Sequence, residues 1–250
     1  MSASAQKDRF RVIGIHKVPA HLSKEEVERK VNALADKFVR IPSVQQNLLK
    51  LELLLQTKFL DDLLEKIGFA PAEPHVILVA ETESLDHFTE VLKDKDVGKF
   101  LAEAKEFGFE GRASLFSVDV QIVSSPLSRG GTHYAGIYTV PHEVSVAQYG
   151  SKFQNWIESW ATMQTMKKHE VDFEVWKQNN LIDNYLGELG LLRAEPFFIV
   201  RTASKEESHM IEVMKHAEAR DLVSAVKQDV DMTSGTNAFC VDIVTKLDKA

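Results

Sequence analysis

The chain says nearly everything twice. Shifted by 122 residues, its second half lies on its first without a gap over most of its length. Gly14, Ile15, Val18, Pro19 and Ser23 fall on Gly136, Ile137, Val140, Pro141 and Ser145. Glu52, Gln56, Asp61, Leu64 and Gly68 fall on Glu174, Gln178, Asp183, Leu186 and Gly190, and Ile77, His87, Glu90 and Val91 on Ile199, His209, Glu212 and Val213. A one-residue adjustment then brings FSVDV (116–120) onto FCVDI (239–243). Chance does not hold one register across so many separate segments. The sequence therefore reads as a tandem duplication: a first unit at 1–123, a linker SSPLSRGGT at 124–132 rich in Ser, Gly and Pro, and a second unit at 133–250.

Each unit has one pattern. A β-branched strand (10–18; 133–140) runs to Ser23 or Ser145, placed as helix N-caps, and Glu26 completes a capping box in the first unit. A helix follows, with Val27, Val31, Leu34 and Phe38 on one face, matched by Tyr149, Phe153, Trp156 and Trp160. Next come a strand (47–57; 169–178), a short helix ending at Gly68 or Gly190, a third strand (75–81; 197–203), and two short helices (84–92 and 96–107; 205–215 and 217–227). A last strand (113–123; 236–246) closes the unit. The order β-α-β-β-α-β is the ferredoxin-like arrangement, an α+β fold.

A four-stranded sheet with its helices on one face leaves the other face bare. Here that face carries Ile13, Ile15, Leu54, Ile77, Val79, Phe116 and Val118. Two such sheets in one chain can bury those faces against each other, so the expected architecture is two tandem ferredoxin-like repeats forming an intrachain, pseudo-dimeric α/β barrel. A chain that covers its own sheet can stand as a monomer; a homodimer stays open. Glu52 and Glu174 alternate onto the same inner face, as do Gln56, Gln178, Lys17 and Arg201, which predicts a polar network inside the barrel or an enclosed second cavity.

Composition narrows the partners. The 250 residues are 44% hydrophobic and 27% charged with a net charge of −7 and no polybasic stretch, so no nucleic-acid or membrane-surface partner is expected. The start, MSASAQKDRF, lacks the apolar segment of a signal peptide, and the one cysteine, Cys240, cannot form an intrachain disulfide. The expected location is cytoplasmic. Walker, Rossmann, nucleophile-elbow and zinc-spaced motifs are absent, so no cofactor and no metal are expected.

Several motifs carry a resemblance. IGIHKVPAHLSKEE on the first strand and helix, IPSV before strand two, HVILVAETESLDHF around strand three, DVGKF and the closing FSVDV resemble the dimeric α/β-barrel superfamily. Within it they look like ethyl-tert-butyl-ether-degradation-type and stress-responsive A/B barrel proteins, in a tandem form similar to fungal ones. Small polyketide cyclases belong to the same superfamily. The resemblance spans nearly the whole chain, once per unit. It implies a small-molecule pocket between each sheet and its own helices. The superfamily's cyclases and haem-degrading members carry a histidine on the short helix after strand three, where this chain has Asp96 and Glu218. That departure argues against cyclisation and haem ligation by the familiar route.

Strand alternation sends Gly14 and His16, or Gly136 and Tyr138, to the helix side, where glycine leaves space beside the sheet. On the last strand it sends Ser117 and Asp119, or Cys240 and Asp242, the same way. First and last strands are neighbours in this topology, so His16 with Asp119 and Tyr138 with Asp242 are candidate acid–base dyads, a carboxylate fixing the tautomer of an imidazole and raising its basicity. Against this stands the plain reading, in which His16 is a core histidine and the aspartates bond backbone. Gly14, Ser117, Gly136, Phe153, Trp156 and Cys240 complete the candidate ligand-binding set. The His-x-x-Glu pairs, His87 with Glu90 and His209 with Glu212, place two metal-capable groups on one helix face, although two ligands do not make a site and a solvated face explains them. His216 is read the same way.

Two functional readings follow. One is a cofactor-free enzyme that moves a proton on an aromatic or polyketide-like compound in a lyase, cyclase or isomerase reaction. The other is a non-enzymatic ligand-binding or stress-associated barrel that holds a small apolar or aromatic molecule. A polar pocket with converging His, Tyr and Asp favours the first, and a dry or filled pocket the second.

Overall fold

A computed structural model describes residues 9–18, 21–104, 113–128, 130–188, 194–195, 197–229 and 235–249. Eight strands are present: β1 (Phe10–Lys17), β2 (Leu48–Thr57), β3 (His75–Thr82), β4 (Ala113–Ile122), β5 (Thr132–Thr139), β6 (Asp172–Asn179), β7 (Phe197–Ser204) and β8 (Thr236–Asp248). Among the described residues, ten helices pack outside them. In the first half these are α1 (Lys24–Phe38), α2 (Pro42–Asn47), α3 (Asp61–Ile67), α4 (Leu85–Lys93) and α5 (Lys95–Ala104). In the second they are α6 (Val146–Thr162), α7 (Gln164–Lys168), α8 (Asp183–Glu188), α9 (Glu207–Lys215) and α10 (Ala217–Asp229).

The strands close into one antiparallel barrel in the order β1-β3-β2-β8-β5-β7-β6-β4. Each half contributes four neighbours, β4-β1-β3-β2 and β8-β5-β7-β6, and the two quartets join edge to edge through β2 with β8 and β4 with β6. Closure gives every strand two partners, so the described strands present no open sheet edge. The inner faces meet in an apolar middle layer of Ile13, Ile15, Leu54, Ile77, Phe116 and Ile199 with their neighbours. Val120, on the same face of β4, reaches the barrel's mouth and is 38% exposed rather than buried, because alternation selects a face and not a depth.

Local signals act where the sequence places them. Ser23 and Glu26 form the reciprocal capping box of α1, and Ser145 caps α6. Gly68 ends α3 at φ 108°, a left-handed conformation that glycine adopts without strain. Gly190, expected to end α8, lies outside the described residues, as do Pro19 and residues 105–107. Most strand ends shift by one or two residues, and one by more: β6 begins at Asp172, not at 169, because Met163 and Met166 bury themselves and wind the preceding residues into α7. Its first-half counterpart, α2, starts on Pro42 at the first helical turn, where a missing N–H costs nothing.

One end of the barrel interior is polar. Glu81 takes Arg9 at 3.2 Å and Arg11 at 2.6 Å; Arg11 also reaches Glu174 at 3.4 Å, and Trp176 Nε1 donates to Glu174 at 3.0 Å. Arg11 and Arg201 lie over the Trp176 ring at 4.9 and 5.1 Å. Arg201 is wholly buried there, and desolvation brings its guanidinium down to about 10. Glu52 pairs with Lys50 at 2.9 Å. Lys17, on the same face, lies at the opposite mouth and meets Glu73 at 2.9 Å in solvent. Of the residues expected in an interior polar network, Glu174 and Arg201 belong to this one, which is built on Arg11 and Glu81, while Lys17 stands outside it.

Candidate functional site

On the outer face of the first quartet, α1, α4 and α5 do not close fully onto the sheet. They leave a cavity of about 180 Å³. Gly14 and His16 of β1, Ser114 and Leu115 of β4, and Leu34 and Phe38 of α1 are among its walls. Nearly all of the lining is hydrocarbon. A Cβ on Gly14 would meet His16 Nε2 and Leu78 at 3.5 Å, an ordinary contact, so the imidazole folds back along the strand beside the glycine. His16 is half-buried and lines the cavity. Burial drives its pKa down to about 4, so the ring is neutral at neutral pH.

The equivalent space in the second half is filled. Only about 30 Å³ remains there, between Tyr134, Tyr138, Trp156, Trp160 and the methionines of α7 and α9. The ring of Tyr138 lies over Gly136, so close that a Cβ there would be 2.7 Å from Tyr138 Cε2. Phe153 and Trp156 pack edge-on against that ring at 5.2 and 5.3 Å between centroids. Tyr138 and Tyr134 hydrogen-bond to each other, and burial holds both hydroxyls above the usual phenol range.

The candidate dyads do not assemble. β1 and β4 register His16 opposite Ala113, so Asp119 lies six residues further along β4, about 20 Å away at ~3.3 Å per residue. β5 and β8 place Tyr138 opposite Thr236, which puts Asp242 at the same remove. Asp119 is exposed and accepts from Asn179 Nδ2 at 2.8 Å; Asp242 is exposed opposite Leu55. Ser117 is buried against Val12 and donates to Asn179 Oδ1, away from the cavity. Cys240 is buried opposite Tyr134, where desolvation pushes its thiol up to about 12 and leaves it unreactive. Of the candidate set, the first cavity brings together Gly14 and His16; Tyr138 and Trp156 line the second, with Gly136 and Phe153 against the Tyr138 ring.

The His-x-x-Glu pairs also separate. His87 Nδ1 meets Ser84 Oγ at 2.9 Å while Glu90 turns to Lys93. His209 stacks on His169 at 4.3 Å, and Glu212 accepts from His169 and Lys168. His216 lies half-exposed beside Glu218 at 3.7 Å. Among the described residues, no three His, Cys, Asp or Glu side chains are grouped to hold a metal.

Sequence reasoning missed Ser114, Phe88, Phe100 and Leu101 as cavity walls. Helical periodicity turns Phe88, Phe100 and Leu101 toward the sheet, but no sequence signal says where packed side chains stop short of one another.

No protein-family model matches the chain, and no curated protein does. Solved structures do resemble it. A monooxygenase-like protein of Fusobacterium nucleatum superposes with a TM-score of 0.52 at 12% identity, over 94% of this chain and 92% of that one. An anthrone oxidase-like protein does so with a TM-score of 0.55 at 9% identity, over 99% and 98%. At such identities the likeness extends to the fold alone, an α+β fold that this chain builds as a closed eight-stranded antiparallel barrel.

Proposed function

We propose that this is a small-molecule pocket protein whose working site is the cavity of the first half, and that its ligand is a small aromatic or polyketide-like compound bound mainly by hydrocarbon. One observation carries the reading: a sheet-and-helix layer that could have packed solid keeps a space of about 180 Å³ walled almost entirely by carbon, with one imidazole and Ser114. An apolar cavity of that kind stays dry and takes apolar guests. Binding without turnover is favoured, since a neutral His16 without its aspartate is a weak base and an apolar cavity supplies nothing to stabilise developing charge. The second reading, a cofactor-free proton-transfer enzyme, rests on His16 itself, the one titratable group facing the cavity among the described residues.

Around this site we read the chain as a duplicated ferredoxin-like unit, 1–123 and 133–250 about a linker at 124–132, of the ethyl-tert-butyl-ether-degradation or stress-responsive type in a tandem, fungal-like form. The identical strand order of the two quartets supports it. So does a matched detail: Gln56 accepts from the His75 backbone N–H at 2.9 Å, and Gln178 from that of Phe197 at 3.0 Å. The reading carries with it a cytoplasmic location and no nucleic-acid partner; no described helix is long and apolar enough to cross a membrane.

Calorimetric titration with 1-naphthol tests the site. Val31→Phe places in the first cavity the residue that the second half carries as Phe153, and should abolish 1:1 binding, whereas Asp119→Asn and Asp242→Asn should not alter it. Unchanged binding in Val31→Phe would refute the site. For the enzyme reading, solvent deuterium should enter the α-carbon of bound 1-tetralone about a hundredfold faster in the wild type than in His16→Phe; equal rates leave binding as the function.

A further inference from the structure

We propose that the second half holds a second, closed ligand site, built for a planar aromatic compound that carries a hydrogen-bond acceptor such as a ketone or quinone oxygen, and that Tyr138 occupies it in the free protein. The proposal is independent of what the first cavity binds. It starts from a substitution of the walls. Leu34, Phe38 and Ala80 line the first cavity with carbon; at the equivalent positions the second half has Trp156, Trp160 and Thr202, which line the residual space there. Each of these replacements brings a hydrogen-bonding group, two indole N–H and one hydroxyl.

None of the three is satisfied. Trp156 Nε1, Trp160 Nε1 and Thr202 Oγ1 are enclosed and have no hydrogen-bond partner among the described residues, and all three side chains belong to residues more than nine-tenths buried. Buried donors are nearly always paired, so several orphans on residues that line one small space indicate a missing acceptor. Indole donates only, and a hydroxyl accepts as well as donates, so the preferred guest presents a lone pair. Charge is disfavoured because no cation among the described residues lines the space.

The remaining volume, about 30 Å³, admits a water and no aromatic ring. Room for a ring exists, but it is taken. Tyr138 lies over Gly136, the equivalent of the open Gly14, with its hydroxyl bonded to that of Tyr134. If Tyr138 swung away, the strand face would open as it is open in the first half. Met166, Met210 and Met214, unbranched and adaptable, form the opposite wall and can shift to accommodate a guest.

Indole N–H resonances of the full-length protein test this directly. The chain has three tryptophans, and Trp176, bonded to Glu174 inside the barrel, is an internal reference. Single Trp→Phe variants assign the signals, and any two that fold suffice. Titration with 9-fluorenone should shift the N–H of Trp156 or Trp160 and leave Trp176 in place. Fluorene, the same rings without the oxygen, should bind there about tenfold more weakly, the factor that one hydrogen bond is worth. Tyr138→Phe, which cuts the link to Tyr134, should take fluorenone several-fold more tightly. Unmoved Trp156 and Trp160 signals at saturation, an equal response to fluorene, or a bound-water cross-peak that persists beside fluorenone would each overturn the proposal. Because 1-naphthol binding and its loss in Val31→Phe report on the first cavity, failure of one site is read separately from failure of the other.

Discussion

His16 makes stability depend on pH in a way that one variant isolates. The imidazole's pKa falls from 6.5 to about 4 on folding because the folded chain buries it. Below pH 6.5 the unfolded chain takes up a proton that the folded chain refuses, so acid favours unfolding. The stability is present in full above pH 6.5 and is lost as the pH falls towards 4. At pH 5 the linkage amounts to about 2 kcal/mol relative to pH 7.5, and below pH 4 it approaches about 3 kcal/mol. In a chain of this length about 2 kcal/mol corresponds to a melting shift of roughly 4–8 °C. His16→Phe keeps a ring in place and removes the titration. Urea unfolding of both proteins at pH 7.5 and 5 should therefore show the wild type losing about 2 kcal/mol more than the variant, every other titrating group cancelling in the difference. Parallel losses would mean that His16 keeps an ordinary pKa, hence that the cavity is wet, and the argument for a dry, carbon-walled site would fail with it.

Three further outcomes follow from the same geometry. Gly14→Ala should be nearly neutral, within about 1 kcal/mol, while Gly136→Ala, whose methyl would press on the buried Tyr138 ring, should cost about 1–3 kcal/mol; equal effects in denaturant melts would deny that the two spaces differ. Glu81→Gln should destabilise by about 2–3 kcal/mol, since it strips a buried partner from Arg9 and Arg11, and a change under about 0.5 kcal/mol would show the ion network to be immaterial. Light scattering should give the mass of one chain, because β2–β8 and β4–β6 pairing closes the barrel from within; an obligate dimer that persists on dilution would reveal another apolar face.

Most of the architecture is legible in the linear sequence because it follows from local, periodic rules. Alternation marks Ile13, Ile15, Leu54, Ile77 and Phe116 as one inner face, and they do meet in the barrel's middle layer. Ser23 with Glu26 starts a helix, and Gly68 ends one, through bonds made within a few residues. The internal repeat with period 122 supplies the long-range information that alternation lacks: two bare faces in one chain imply that they cover each other.

The candidate site was legible only in part, and the reason is the same arithmetic. Side-chain direction has a period of two, so Ser117 and Asp119 share a face with His16 in every register that differs by an even number of residues, and face alone does not say who is opposite whom. Register comes from how whole strands pair, and pairing His16 with Ala113 leaves Asp119 six residues away. Void volume is further still from sequence. That the first half keeps about 180 Å³ and the second about 30 Å³ is a small difference between large packed volumes. It is decided by where Tyr138 lies and how far α1, α4 and α5 stand off the sheet. The residues alone place a glycine on the helix side of each half's first strand, Gly14 and Gly136. Only tertiary packing decides that the space beside the first stays open and that beside the second closes on its own tyrosine, because emptiness is a property of how neighbours fit and of no single side chain.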